Sequence, residues 1–157
     1  HRSYADPVLI SIKVPKRFAY MAKEELFRNP FFSALIRFMG AFPVVRGSGD
    51  LSVIDTASDK LRIGKNLVIF PEGTRSKDGK VGKGKTGVAL IAAKTQADVI
   101  PVGIVFEGKL KFRKKVVVKY GKPINASELK VSDTPTPAEL KAVKLKIMSA
   151  ITELVEG

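Results

Sequence analysis

His1 and Asp6 are an imidazole and a carboxylate five residues apart, a combination able to act as a general base with an orienting partner. On a continuous helix that spacing would point the two side chains apart, because neighbours on one helix face lie three or four residues apart. The pair can meet only if the chain turns or starts a helix between them. Asp6-Pro7 supplies such a place, since proline restricts the residue before it. The carboxylate would then accept one imidazole N–H and leave the other ring nitrogen to take a proton. Taken alone, H-x-x-x-x-D reads more readily as a terminal histidine and a helix-capping aspartate. A histidine at the first position would also be held from one side only.

A second group of reactive types is Glu72-Gly73-Thr74-Arg75-Ser76, directly after the apolar run Leu67–Phe70 and Pro71. Gly73 permits a tight backbone path, Thr74 carries a hydroxyl, and Arg75 offers a planar fork matched to phosphate oxygens. An exposed turn with an internal Glu72–Arg75 ion pair is the equal alternative. Arg46 closes the segment Gly40-Ala41-Phe42-Pro43-Val44-Val45-Arg46-Gly47, and Lys23 follows the apolar stretch Phe18–Ala22. Each of these cations faces either solvent or a crevice at a strand end; taken singly, both read as surface residues. Gly79–Thr86 matches the phosphate-binding pattern G-x-x-x-x-G-K-[ST]. Its context argues against a nucleotide site, because no strand runs directly into it and no strand-end aspartate is in place for Mg²⁺. Lys85 at a helix start still suits an anion.

These residues need a scaffold, and the apolar periodicity outlines one. Pro7–Val14 is ambiguous between helix and strand, with Val8, Ile10, Ile12 and Val14 alternating. Strands are expected at Phe18–Ala22, Phe42–Val45, Leu67–Phe70, Val99–Phe106 and Val116–Tyr120. Helices are expected from Asn29-Pro30 to about Met39, from Ser48 or Asp50 through Leu61, from about Thr86 to Gln96, and from Thr136-Pro137 onward. Phe31, Leu35, Phe38 and Met39 share one face of the first of these helices, and Gly40 ends it. Strands alternating with helices predict an α/β fold: one domain over residues 1–157 with a mostly parallel central sheet flanked by helices. In such sheets ligands gather beyond the strand ends, where the loop after Phe70 lies.

Bulk composition narrows the chemistry. The 157 residues carry 28 Lys and Arg against 15 acidic residues, a net charge of +13 that favours anionic partners. With no cysteine and one histidine, thiolate catalysis, disulfides and a multi-histidine metal site are excluded within this chain. A basic nucleic-acid-binding module would call for stacking aromatics, yet the chain has no Trp and only 8% aromatic residues, most of them in apolar runs. No apolar run approaches the ~18 residues needed to span a bilayer.

In order along the chain, His1–Asp6, Gly40–Arg46, Phe70–Ser76 and Val99–Val102 resemble the H-x-x-x-x-D, G-x-x-[FP]-x-x-R, F-P-E-G-T-R-S and V-[IP]-P-V blocks of the 1-acylglycerol-3-phosphate (lysophosphatidic acid) acyltransferases. Lys85-Thr86-Gly87 resembles a further lysine-glycine element, with Gly84 where many members have Phe. The resemblance covers nearly the whole chain. It implies transfer of a fatty acyl group from acyl-CoA or acyl carrier protein to the sn-2 hydroxyl of lysophosphatidic acid, giving phosphatidic acid. His1 would be the base and Asp6 its partner. Lys23, Arg46, Glu72, Gly73, Thr74, Arg75 and Lys85 would bind the acceptor and its phosphate. No metal or bound cofactor is implied. It also implies an anionic membrane surface as partner, no nucleic acid, and a place on the cytoplasmic face of the membrane, peripheral or anchored through a missing N-terminal segment. Related acyltransferases with glycerol-3-phosphate or another glycerolipid as acceptor share the pattern; a nucleic-acid module and a P-loop NTPase are the distant alternatives.

Overall fold

The structure, a computed structural model, describes residues 1–3, 5–12, 14, 17–44, 52–76, 78–106, 108, 115–129, 132 and 134–157. It divides into two compact units, one of residues 1–10 with 70–157 and one of residues 11–69.

The second unit holds a parallel sheet. Strand β1 (Phe18–Lys23) pairs in parallel with β2 (Ala41–Val44) on one side and β3 (Asn66–Val68) on the other, giving the order β2-β1-β3. Parallel neighbours need helical crossovers, and these are α2 (Pro30–Phe38) between β1 and β2 and α3 (Ser52–Arg62) between β2 and β3. Ala19, Tyr20 and Phe42 in the sheet and Ile54, Ala57 and Ser58 on α3 are buried. Asn29 caps α2 as its sequence suggests, its side chain accepting from the Phe32 N–H at 3.0 Å, with Pro30 in the first turn. A short 3-10 turn, Glu24–Phe27, precedes it and was not expected. The expected starts of α3 at Ser48 or Asp50 lie outside the described residues, as does Val45.

Gly40 shows why the turn from α2 into β2 requires glycine. Its φ is +93°, and a Cβ there would stand 2.3 Å from the Phe18 carbonyl oxygen, part of the rigid central strand. The Gly40 carbonyl meanwhile accepts from the Tyr20 N–H at 3.1 Å. Gly40→Ala is therefore expected to destabilise the fold by about 2 kcal/mol or more, read as a shift in the denaturation midpoint. A variant as stable as the parent would disprove the packing argument.

In the first unit, α1 (Asp6–Ser11, its last residue in the second unit) resolves the ambiguity of Pro7–Val14 in favour of helix. α4 (Gly87–Thr95) buries Val88, Ala89, Ile91, Ala92 and Ala93. Strands β4 (Val102–Val105) and β5 (Val117–Tyr120) pair antiparallel, with Val102 opposite Tyr120. The largely parallel pattern thus stops at three strands. Residues 106–116 are too few to hold a helical crossover, so the chain returns in the opposite sense. The strand expected over Val99–Phe106 is shorter because Pro101 interrupts it, leaving an isolated bridge from Val99 to Ile124. Likewise β3 stops before Phe70, and its apolar residues are half-buried. A four-residue helix α5 (Ala126–Leu129) was not foreseen.

The C-terminal α6 (Pro137–Glu156) packs against β4 and α4, burying Val143, Ile147 and Met148. A reciprocal capping box starts it: Thr136 N–H and hydroxyl both donate to Glu139 Oε2 at 2.7 Å, and the Glu139 N–H donates back to Thr136 Oγ1 at 3.3 Å. The donated Thr136 N–H and hydroxyl, with help from Ser132, lower the Glu139 pKa from its ordinary 4.5 to about 2. A depressed carboxyl pKa stabilises the fold above the ordinary value and loses that contribution as pH falls through the folded value. The start of α6 should therefore loosen between pH 4.5 and about 2. Acid titration followed by amide exchange at the start of α6 should show this loss, and Glu139→Gln should remove its pH dependence.

Candidate active site

The site lies in the first unit, where the N-terminal residues run beside the loop that follows Ile69. Asp6 is the first residue of α1, but its carboxylate turns back toward the chain before it. Oδ2 accepts from the Arg2 N–H at 2.6 Å and the Ser3 N–H at 3.0 Å, and lies 2.6 Å from His1 Nδ1. His1, Arg2, Ser3 and Ala5 are not helical, which is how a five-residue spacing becomes a contact. Asp6 is fully buried and His1 is only 13% exposed. A carboxylate has no proton to offer, so it accepts from Nδ1–H and fixes the tautomer with Nε2 as the free acceptor. Asp6 Oδ1 is buried with no hydrogen-bond partner among the described residues.

His1 is held from several sides, not from one. Its ring stacks on Phe70 at 4.1 Å between centroids. Its backbone nitrogen donates to Glu72 Oε1 at 3.2 Å, and its carbonyl accepts from the Ser76 N–H at 2.7 Å. Phe70–Ser76 is therefore the wall against which the imidazole rests. Within that loop the Gly73 N–H donates to the Phe70 carbonyl at 3.0 Å, closing a turn with Pro71 at its second position. Gly73 has φ +70°, a left-handed conformation that favours glycine.

Lys85 joins the same place. Its N–H donates to the Pro71 carbonyl at 2.8 Å, and its side chain lies so close over Gly73 that a Cβ there would stand 2.9 Å from Cε. Thr74, Arg75 and Lys85 are exposed at this loop, while the Glu72 side chain is buried against His1. The alternative of Glu72 as half of an exposed ion-paired turn is set aside by that burial. Gly84, the departure from the family pattern, has a local reason. A Cβ on it would lie 2.6 Å from Met148 of α6, so the methionine occupies the space that a larger residue would need.

The nucleotide-loop pattern at Gly79–Thr86 does not form a phosphate cradle. The Gly79 N–H is given to Ser76 Oγ, the Lys80 N–H to Asp78 Oδ1 and the Lys85 N–H to Pro71. Backbone donors already engaged inside the protein cannot also wrap a phosphate.

Lys23 belongs to the second unit, as the last residue of β1, with Nζ 2.7 Å from Glu25 Oε1; this contact lowers the Glu25 pKa. Arg46 lies outside the described residues. Sequence reasoning missed Arg2. Its guanidinium donates to the carbonyls of Phe106 and Gly108 and lies 4.2 Å over the Phe106 ring, tying the residue beside His1 to the end of β4. It occupies a variable position of H-x-x-x-x-D, and its partners are over a hundred residues away, so no local signal marks it.

A charge-stabilised imidazole backed by a buried carboxylate, beside a loop carrying Arg75 and Lys85, can remove a proton from a hydroxyl while holding an anionic group nearby. A profile of the acyltransferase family matches residues 1–105. The chain is also 30% identical to the 1-acyl-sn-glycerol-3-phosphate acyltransferase of Bacillus subtilis (strain 168) over 159 aligned positions, covering 98% of this chain and 77% of that protein. The chain belongs to this acyltransferase family. The corresponding enzyme of Streptococcus pneumoniae is 36% identical over 135 residues, covering 83% of this chain. The crystal structure of the 1-acyl-sn-glycerophosphate (LPA) acyltransferase PlsC from Thermotoga maritima superposes with a TM-score of 0.72 at 28% identity, covering 99% of this chain and 62% of that one. The chain spans 50% of the length of the pneumococcal acyltransferase. The α/β class expected from the element pattern is that of the family.

Proposed function

We propose that this acyltransferase domain transfers a fatty acyl group from an acyl thioester, acyl-CoA or acyl carrier protein, to the sn-2 hydroxyl of lysophosphatidic acid, forming phosphatidic acid. The observation that carries the proposal is the 2.6 Å contact between His1 Nδ1 and the buried Asp6 carboxylate, set against the Phe70–Ser76 loop.

In this mechanism Nε2 of His1 takes the hydroxyl proton as the oxygen attacks the thioester carbonyl carbon. Asp6 stabilises the imidazolium that forms. The tetrahedral intermediate collapses with cleavage of the C–S bond, and the departing sulfur receives the proton from His1. Atoms balance with no enzyme nucleophile, metal or prosthetic group, and the chain has no cysteine to serve as one. Arg75 and Lys85 hold the acceptor phosphate; Glu72, Gly73 and Thr74 shape the loop around the glycerol. The whole protein is proposed to act at the cytoplasmic face of the membrane, attached peripherally or by an anchor.

The test is thiol release from acyl-CoA and from acyl carrier protein, with and without lysophosphatidic acid. Release should depend on that acceptor and should nearly vanish in His1→Ala. Equal activity in the parent and the variant would sink the mechanism, and faster turnover with glycerol-3-phosphate would reassign the acceptor.

A further inference from the structure

The helix α2 is amphipathic in the reverse of the usual sense. At 100° per residue, Phe38, Phe31 and Leu35 form one arc, continued by Met39 and Phe32, and Ser33 and Arg37 stand opposite. In a soluble domain the apolar arc faces the core. Here Phe38 is 91% exposed, Phe31 87% and Leu35 54%, with Phe32 and Met39 also exposed, while Ser33 and Ile36 are the more covered positions. The polar side is engaged: Arg37 Nε donates to Ser33 Oγ at 3.2 Å and its guanidinium lies 4.8 Å over the Phe27 ring. The orientation is tied to the neighbouring elements at the C-terminal end of the helix, where Arg37 lies over Phe27 and the Gly40 carbonyl accepts from the Tyr20 N–H of β1.

A contiguous apolar surface of five large side chains, three of them phenylalanine, marks an interaction site rather than ordinary surface scatter. Its electrical surroundings choose the partner. From Lys23 to Gly49 the sequence carries Lys23, Arg28, Arg37 and Arg46 against two acidic residues, Glu24 and Glu25 in the turn before the helix, in a chain of net charge +13. Arg28 is exposed immediately before the Asn29 cap. A second copy of so basic a chain would be repelled. A surface that is apolar within and anionic at its face meets both features, and that is a bilayer of anionic lipid. A helix of nine residues is about 13 Å long, too short to span a bilayer but long enough to lie within its interface. Among the described residues no helix is long and apolar enough to cross a membrane.

We propose that α2 is a membrane-docking helix, which buries Phe31, Leu35 and Phe38 in the headgroup–acyl boundary of an anionic bilayer with Arg28 at the lipid phosphates. It deepens the proposed membrane location and rests on that reading for its purpose, though its geometry does not depend on the acyl-transfer chemistry.

The chain has no cysteine, so one introduced at Phe38, or at exposed Asp59 on α3 as a control, labels a single position of this chain. In the full-length protein, with any cysteine elsewhere replaced, an environment-sensitive dye at position 38 should shift to the blue with phosphatidylglycerol vesicles and much less with phosphatidylcholine vesicles. The dye at position 59 should not shift. Phe31→Ser with Phe38→Ser should weaken vesicle partitioning about tenfold or more, and Arg28→Gln should reduce its salt dependence. Circular dichroism should be unchanged, since both phenylalanines are exposed, and acyl transfer to a short-chain, water-soluble acceptor should be retained. A silent dye at 38 while the protein floats with vesicles would overturn the proposal. So would a shift with soluble, acidic acyl carrier protein alone, or unaltered partitioning of the double variant. A parent that docks through α2 but transfers no acyl group would leave docking standing and defeat the reading of the active site.

Discussion

Replacing His1 by glutamine is expected to lower acyl transfer by about a thousandfold while leaving the fold in place. Removing a general base typically costs ~10²–10⁴ in rate, and no other histidine or cysteine in this chain can substitute. Glutamine keeps a polar group beside Phe70 but has no basic nitrogen. The loss should fall on kcat rather than on the KM for the acceptor, because the residues proposed to bind its phosphate are others.

Asp6→Asn is a sharper form of the same experiment. The amide oxygen can accept the His1 and backbone N–H groups now bound by Oδ2. Its NH₂ then takes the place of Oδ1, which is buried without a partner among the described residues. An unsatisfied buried donor costs about 1–3 kcal/mol of stability, so a lower melting temperature is expected as well as slower turnover. The imidazolium also loses its countercharge, and that should account for most of the lost rate. Full activity in either variant, measured by thiol release, would remove the pair from the mechanism.

Arg75→Ala is expected to reduce kcat/KM for lysophosphatidic acid by the equivalent of about 2–4 kcal/mol, the loss of a charge-assisted phosphate contact. The decisive comparison is an acceptor of the same chain length without a phosphate. For that acceptor the parent and the variant should be alike, because no contact is there to lose. Arg75→Lys should recover only part of the loss, since an ammonium cannot make the forked, two-bond contact. Equal deficits with both acceptors would show that Arg75 shapes the loop instead of binding the headgroup. Lys85→Ala should act in the same direction, given the position of its side chain over Gly73.

What the sequence settled by itself was local or written in order along the chain. Asn29-Pro30 and Thr136-Pro137 with Glu139 announced two helix starts, because caps are satisfied by residues within one turn. The crossovers at α2 and α3 and the parallel sheet they connect followed from apolar periodicity. The family blocks were legible because they are short and contiguous.

Other features needed the fold. Whether β4 and β5 ran parallel depended on the length of a connection, which residue types do not reveal. His1 and Asp6, read apart from the family blocks, looked like a terminal histidine and a cap, and only the fold shows the carboxylate turned back onto two backbone N–H groups. Arg2 gained its place through carbonyls distant in the chain. Gly84 made sense only once Met148 was found over it. The apolar face of α2 was plain in the sequence, but its direction was not. Periodicity reports that one side of a helix is apolar, whereas contacts that leave the helix, here Arg37 over Phe27 and the Gly40 carbonyl on the Tyr20 N–H, decide which way that face points.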